Sequence, residues 1–282
     1  MIAPDRQQYL NQLLAKSHGY TDAPLRGETL SRADVEWLLD QHRPIDWDQE
    51  DQRWRLGLNL RGAVLRNADL SGLPLARTQF GYGIGVLFGL EDIELRKLAA
   101  ADLEGANLQG AHLEGADLQG VNLRQARLVG SFLRKANCAE AMLQEARLMH
   151  AHLEGAQFPQ ARLDGAKLAG AHLEGTNLWG SYLTGADLSS MHLENDNDQV
   201  RPRFDRKDVV HLEGSILINA HLEDASLIGA RLDGAVLAYA QLQRATLLEA
   251  YLHGARMFNA YLQGADLTRA HLEGATTTED QR

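Results

Sequence analysis

AHLEGAQFPQARLDGAKLAGAHLEGTNLWG, residues 151–180, carries a large apolar residue at every fifth position: Leu153, Phe158, Leu163, Leu168, Leu173 and Leu178. Two residues before each sits a small one: Ala151, Ala156, Ala161, Ala166, Ala171 and Thr176. Neither regular element accommodates that period. On an α-helix, at about 100° per residue, five steps advance about 500°, so the leucines would spiral around the whole surface. On one continuous strand an odd spacing sends consecutive leucines to opposite faces. Within a single pentapeptide, however, the two-residue step from Ala to Leu keeps both on one face. The Gly that often precedes the next Ala suits a turn. Each pentapeptide therefore reads as one short side of a coil, with Ala and Leu pointing inward.

Outward from this stretch, the register runs from Leu103 to Leu193, nineteen repeats, and again from Leu212 to Leu272, thirteen more. A weaker set reads Leu60, Leu65, Leu70, Leu75 and Phe80. Tandem units of this number mean a solenoid, because each unit buries its apolar face only against its neighbours. The expected core includes Leu103, Leu113, Leu133, Cys138, Leu153, Phe158, Leu173, Leu193, Leu222, Leu242, Met257 and Leu262. The step from Leu193 to Leu212 is 19 residues, not a multiple of five. An excursion is therefore placed at 194–209, whose polar and Pro content fits an exposed loop. A second interruption, 81–100, starts with a Gly-rich turn, and LEDIELRKLAA within it reads as a short helix.

Residues 1–57 differ in character. DRQQYLNQLLAKSHG has Tyr9, Leu10, Leu13 and Leu14 at helical spacing, with Gly19 as terminator. In TLSRADVEWLLDQHRP, Ser31 is the expected N-cap, Val35, Leu38 and Leu39 mark one face, and Pro44 ends the helix. With Trp37, Trp47 and Trp54 this reads as a helical capping module, 1–57, on a repeat domain of 58–275, followed by a tail at 276–282. Solenoids need such caps for solubility.

Bulk properties narrow the function. The 282 residues are 44% hydrophobic and 23% charged, with 38 acids against 28 bases and a net charge of −10. No apolar run approaches the roughly 20 residues of a membrane span, and the N-terminus lacks the apolar region of a secretory signal. The single cysteine, Cys138, excludes an internal disulfide. A cytoplasmic location is the default expectation. No segment forms a basic patch, so direct nucleic-acid binding is not expected. Phosphate-binding loops, nucleophile elbows and HExxH motifs do not occur in the repeats, so neither an enzyme nor a cofactor is expected.

Taken together, the residues resemble the pentapeptide-repeat family, whose loose consensus is A(D/N)LXX. ADLEG (101–105), ANLQG (106–110), ADLQG (116–120) and ADLTR (265–269) match it well. Cys138, Phe158 and Met257 depart at the central position, and Val121, Ser131, Thr176, Ser181 and Met191 at the small one, Met191 implying a locally widened coil. The resemblance implies a mainly β protein, a right-handed quadrilateral β-helix with four pentapeptides per coil, preceded here by the small α-helical module.

A step of twenty is visible without the family. His112, His152, His172 and His192 recur in steps of twenty or forty, with Phe132 at the missing rung. Glu114, Arg134, Glu154, Glu174 and Glu194 run parallel to them. The first reading of these columns is a ladder copied with the repeats; a protein-binding face and a zinc site are the alternatives. Arg127, Arg147 and Lys167 make a basic column elsewhere. Trp179 and Tyr182 face outward near the 194–209 loop, which itself offers Arg201, Arg203 and Phe204 to a partner.

The expected function is thus a non-enzymatic scaffold for a protein partner, with His152, Glu154, His172, Glu174, His192 and Glu194 as further contact candidates. The family also implies an alternative, mimicry of duplex DNA toward DNA gyrase or topoisomerase IV. The last coil, near 255–275, carries no evident cover, so end-to-end homodimer pairing is expected there.

Overall fold

The pentapeptide 151–155 shows how one side of the coil is made. His152 donates its backbone N–H to Ser131 in the coil before, at 2.8 Å, while Leu153 donates to His172 in the coil after, at 2.7 Å. Ala156 donates back to Leu153 at 2.9 Å, closing a four-residue turn. The third residue of that turn, Gly155, has φ +66°, as a type II turn requires. Backbone groups are thereby paired between coils, and the chain bends before the next Ala–Leu pair.

The computed structural model describes residues 2–15, 23–41, 58–82, 99–189, 191–196, 199–204 and 209–277. Parallel bridges join residues twenty apart through the central run, four per coil, so the coil is four-sided. Each bridge is one residue long. The expectation of a mainly β chain is therefore met by a ladder of single parallel bridges and not by extended strands: two inward residues flanked by turns leave room for one paired residue per side. The only regular strands among the described residues are β1 (Met191–Asp196) and β2 (Gln199–Phe204), an antiparallel hairpin.

That hairpin corrects the register near the second excursion. His172 bridges His211, 39 residues on, where the rungs from Asp102 to Asp187 are twenty apart. Nineteen residues are thus inserted, and they begin before 194. Leu193 pairs with Pro202 in the hairpin and is no part of the leucine ladder; Leu212 takes its place, donating to Arg231. Met191 widens no coil, because it belongs to β1 and Val210 fills the small position. Pro74 bridges His112 across 38 residues in the same way. Of the first interruption, 83–98 lie outside the described residues, including nearly all of the expected short helix.

Leu103, Leu113, Leu133, Cys138, Leu153, Phe158, Leu173, Leu222, Leu242 and Met257 are buried in one continuous core, whereas Leu262 is only partly covered. Burial pushes the Cys138 thiol far above its ordinary range. Departures at the small position are absorbed locally: Ser131, Thr176 and Ser181 each donate a hydroxyl to the carbonyl three residues earlier, at 2.7–2.8 Å. The consensus Asp or Asn has its own reason. Asn137 accepts from the backbone of Ala139, and Asp117 from that of Gln119, so the outward side chain caps a turn N–H.

Helix α1 spans Pro4–Ala15 and helix α2 Arg32–Gln41. Ser31 Oγ accepts from the Asp34 N–H at 3.2 Å, and Asp34 accepts from the Ser31 N–H at 2.8 Å, a reciprocal N-terminal box. Arg6 of α1 donates to Asp34 and Glu28, fastening the two helices. Burial raises the Asp34 carboxyl, but Arg6 and Ser31 outweigh it and hold the group below the usual carboxylate range. Leu10, Leu25, Val35 and Leu38 belong to the same core as Leu60, Leu65 and Leu70, and Trp37 lies at its border. Thr29 bridges Val64, so a rung of the ladder already forms between the helices. Gly19, Pro44, Trp47 and Trp54 lie outside the described residues.

Candidate interaction faces

Four outward columns follow from the bridges. The histidine side carries Pro74, His112, Phe132, His152, His172, His211, Arg231, Tyr251 and His271. Its first rings stack in sequence: His112 on Phe132 at 4.7 Å, Phe132 on His152 at 4.9 Å, His152 on His172 at 5.1 Å and His172 on His211 at 5.0 Å. His211 therefore stands where His192 was expected. His192 instead pairs with Arg203 in the hairpin, and Glu194 with Arg201. Phe204 pairs with Met191.

Each stacked histidine turns Nδ1 to the glutamate two residues on: Glu114 at 3.1 Å, Glu154 at 3.4 Å, Glu174 at 3.3 Å and Glu213 at 3.2 Å. Arg134 adds a bond to Glu154 at 3.0 Å. Burial works to raise the Glu154 carboxyl, but Arg134, the residue's own backbone N–H and His152 together outweigh it and hold the group below its usual range. Glu154, His172 and Glu174, and likewise Glu174, His211 and Glu213, bring donor atoms within 4.8 Å of one another. Each triad holds a single histidine, whose Nδ1 is already turned to its own glutamate, and successive rings lie within 8° of parallel. This geometry is that of a copied ladder.

Arg127, Arg147 and Lys167 form consecutive rungs of a second side, which continues through Asp187, Ser226 and Thr246 to Asp266. The third side runs Asp102, Asn122, Met142, Arg162, Tyr182, His221, Gln241 and Tyr261. Tyr182 stacks on His221 at 4.6 Å, and the Arg162 guanidinium lies 5.8 Å from its ring centre. The fourth side begins with amides and carboxylates, including Asn137, Gln157 and Asn177, then turns apolar at Ile216 and Val236.

The corner between the fourth and third sides holds the main exposed apolar surface. Trp179, Tyr182, Ile216, Tyr239 and Tyr261 border it, five of the eight exposed large apolar side chains among the described residues. Ile218 continues the Trp179 column, since Gly180 donates to Ile218, and Phe258 meets Tyr239 edge-on at 5.9 Å. The sequence reading found Trp179 and Tyr182 but missed Ile216, Tyr239 and Tyr261. A stride of twenty does not connect Trp179 to Ile218, because the hairpin lies between them. The shift of 39 between Leu173 and Leu212 was the signal available.

A family model for pentapeptide repeats matches the chain in 8 copies, over residues 97–134, 133–168, 161–195, 210–237 and 235–274. Among solved structures, the chain is similar to HetL, a pentapeptide repeat protein involved in heterocyst differentiation regulation from the cyanobacterium Nostoc sp. strain PCC 7120. The identity is 26%, covering 87% of this chain and 96% of that one, with a TM-score of 0.29. It is also similar to full-length QnrB1, a plasmid-mediated fluoroquinolone resistance protein, at 14% identity over 77% of this chain and 95% of that one, with a TM-score of 0.22. Rfr23 from the cyanobacterium Cyanothece 51142 is 22% identical over 76% and 86% of the two chains, with a TM-score of 0.26. No curated protein matches.

Proposed function

Because the chain belongs to the pentapeptide-repeat family, we propose that it is a non-enzymatic scaffold that binds a protein partner along its apolar corner. The observation that supports this reading is the gathering of Trp179, Tyr182, Ile216, Tyr239 and Tyr261, five of the eight exposed large apolar side chains among the described residues, on one edge of the prism. Aromatic side chains held on a rigid ladder lose little freedom on contact, and such residues dominate binding energy at protein interfaces. The inside of the coil is filled by Ala and Leu, leaving the outside to carry function. The ladder residues His152, Glu154, His172 and Glu174 lie on another side and would form a second, polar contact face. A homodimer through the last coil completes the proposed assembly.

The alternative, a duplex mimic that inhibits DNA gyrase or topoisomerase IV, meets an electrostatic obstacle. Nine stacked rungs span about 45 Å at an inter-strand spacing of about 4.8 Å. Duplex DNA of that length carries roughly 26 negative charges. Residues 58–275 hold 26 acids and 20 bases, a net of −6, and many of the acids are paired with His or Arg on the ladder.

The test is affinity capture from cells of the source, comparing the wild-type chain with Trp179→Ala and Ile216→Arg. We expect one dominant protein partner whose recovery falls at least about tenfold with either substitution, the loss typical of a hot-spot residue. Equal recovery by all three proteins would remove the corner from the interface. Submicromolar inhibition of gyrase supercoiling would replace this reading with the mimic.

A further inference from the structure

The copied ladder breaks at one place, and the break makes a new cluster. Beside the histidine side runs the column Glu114, Arg134, Glu154, Glu174, Glu213, Asp233, in which most positions are acidic. The next member is His253, stacked beside Tyr251, and then Glu273. We propose that His253, His271 and Glu273 form a surface site for one divalent transition-metal ion of the zinc type, with Asp233 as the positioning residue for His253.

Three observations carry the assignment. First, one donor atom from each of His253, His271 and Glu273 lies within 4.8 Å of the other two. Second, His253 is gripped from both ends: Nδ1 is 2.7 Å from Asp233 Oδ1, and Nε2 is 3.0 Å from Glu273 Oε2. A neutral imidazole that gives its one N–H to Asp233 presents a lone pair on Nε2. That lone pair then faces a carboxylate oxygen, and either a second proton on the ring or a cation satisfies the contact. A carboxylate behind a ligating histidine is a recurrent support in zinc sites, because it fixes the tautomer and raises the basicity of the other nitrogen. Third, Tyr251 stacks on His271 at 4.6 Å and 8°, bracing that ring beside the site.

The cluster occupies the same three places in the coil as Glu154, His172 and Glu174, but it carries a second histidine, His253, where that triad has Glu154. On the ladder each histidine faces a glutamate of its own coil, and the donors repeat in parallel. Here His253 and His271 belong to successive coils, their rings 5.8 Å apart and 21° from parallel, and Glu273 turns to His253. Zinc bound by nitrogen and oxygen ligands at about 2.0–2.2 Å needs them drawn to roughly 3.3 Å from one another. His253 and Glu273 already meet that spacing. Their side chains are 46% and 71% exposed, so they are free to close around the ion, and water completes a four-coordinate shell. Arg231 Nε is 3.7 Å from Asp233 Oδ2, whereas His253 meets the other oxygen of that carboxylate, Oδ1.

The experiment is calorimetric titration of the full, untagged chain with Zn²⁺, repeated with Co²⁺ while visible absorption is followed. We expect one ion per chain, with cobalt bands that report nitrogen ligation. His253→Gln and His271→Gln should each weaken binding about tenfold or more, and Asp233→Asn should weaken it by about 10- to 100-fold. His172→Gln, on the ladder, should bind like wild type. Unchanged melting temperatures of the variants, measured without metal, establish that each is folded. Absence of binding at about 0.1 mM Zn²⁺ overturns the site. So does a loss confined to His172→Gln, which would place the ion on the ladder.

Discussion

At the scale of single residues, the turn position asks for a conformation that only some residues provide cheaply. Gly155 and Gly175 sit at φ +66° and +63°, while Lys135 occupies the same column at φ +57°. A left-handed conformation costs an L-residue roughly 1–2 kcal/mol, against about 0.4–1 kcal/mol by which glycine loosens the unfolded chain. The left-handed cost is the larger. Lys135→Gly should therefore stabilise the protein by about 0.5–1 kcal/mol, read as a higher urea midpoint at unchanged slope. Gly175→Ala is the complementary change. Nothing lies within 4 Å of the Cβ it would add, so no clash obscures the backbone effect. It should lower stability by about 1 kcal/mol. If both substitutions leave the midpoint unmoved, the turn is not under conformational control. The fifteen non-glycine residues with positive φ among the described residues are where the repeat tolerates strain for outward chemistry, Tyr239 on the apolar corner among them.

At the scale of elements, the hairpin is an insertion that the ladder closes over. Ser181 accepts from His221, and Ala171 from His211, as if no residues intervened. Deleting 190–208 joins Ser189 to Val209 and restores the twenty-residue step from His172. That variant should fold and keep its melting temperature within about 3 °C, because long surface insertions cost little loop-closure entropy beyond the first few residues. A loss of more than about 10 °C would mean that the hairpin packs as part of the core. The same element marks what the sequence disclosed and what it concealed. The period of five dictated the inward Ala–Leu pairs, and the step of twenty aligned His112, Phe132, His152 and His172 before any coordinates. Both readings rest on local periodicity, which side-chain direction enforces. Leu193 and His192 matched that pattern and still left the coil, because two residues in register do not reveal where a strand finds an antiparallel partner. The apolar corner was obscured for the same reason: its columns cross the insertion, and their members lie 39 residues apart. The asymmetric cluster at His253 was hidden differently, since a single histidine in an acidic column looks like drift until Asp233 and Glu273 are seen above and below it.

At the scale of the whole molecule, the prism is uniform along its length and unequal at its two ends. Leu10, Leu25 and Leu38 continue the core at the N-terminal end. Toward the other end, burial falls from complete at Leu252 to partial at Leu262 and Leu267, and Leu272 is 39% exposed. Such a layer is a square of aliphatic side chains ringed by backbone groups, and what fits it best is another square of the same pattern. A second copy of this chain supplies one, by a two-fold arrangement in which each last coil covers the other. The cross-rung ion pairs do not oppose that approach. Arg244 with Asp224, at 2.6 Å, and Arg269 with Glu249, at 3.2 Å, lie along the sides of the prism and not across its end. Light scattering at tens of micromolar should therefore give twice the 31.1 kDa chain mass. Leu272→Glu places a charge in the apolar layer and should return the protein to single chains, with the dimer weakened by at least about 2 kcal/mol, the cost of burying an unpaired charge in an interface. Its circular dichroism and melting temperature at low concentration should match wild type, since Leu272 lies beyond the buried coils. A wild-type chain that scatters as a monomer at that concentration would leave the exposed layer without this partner.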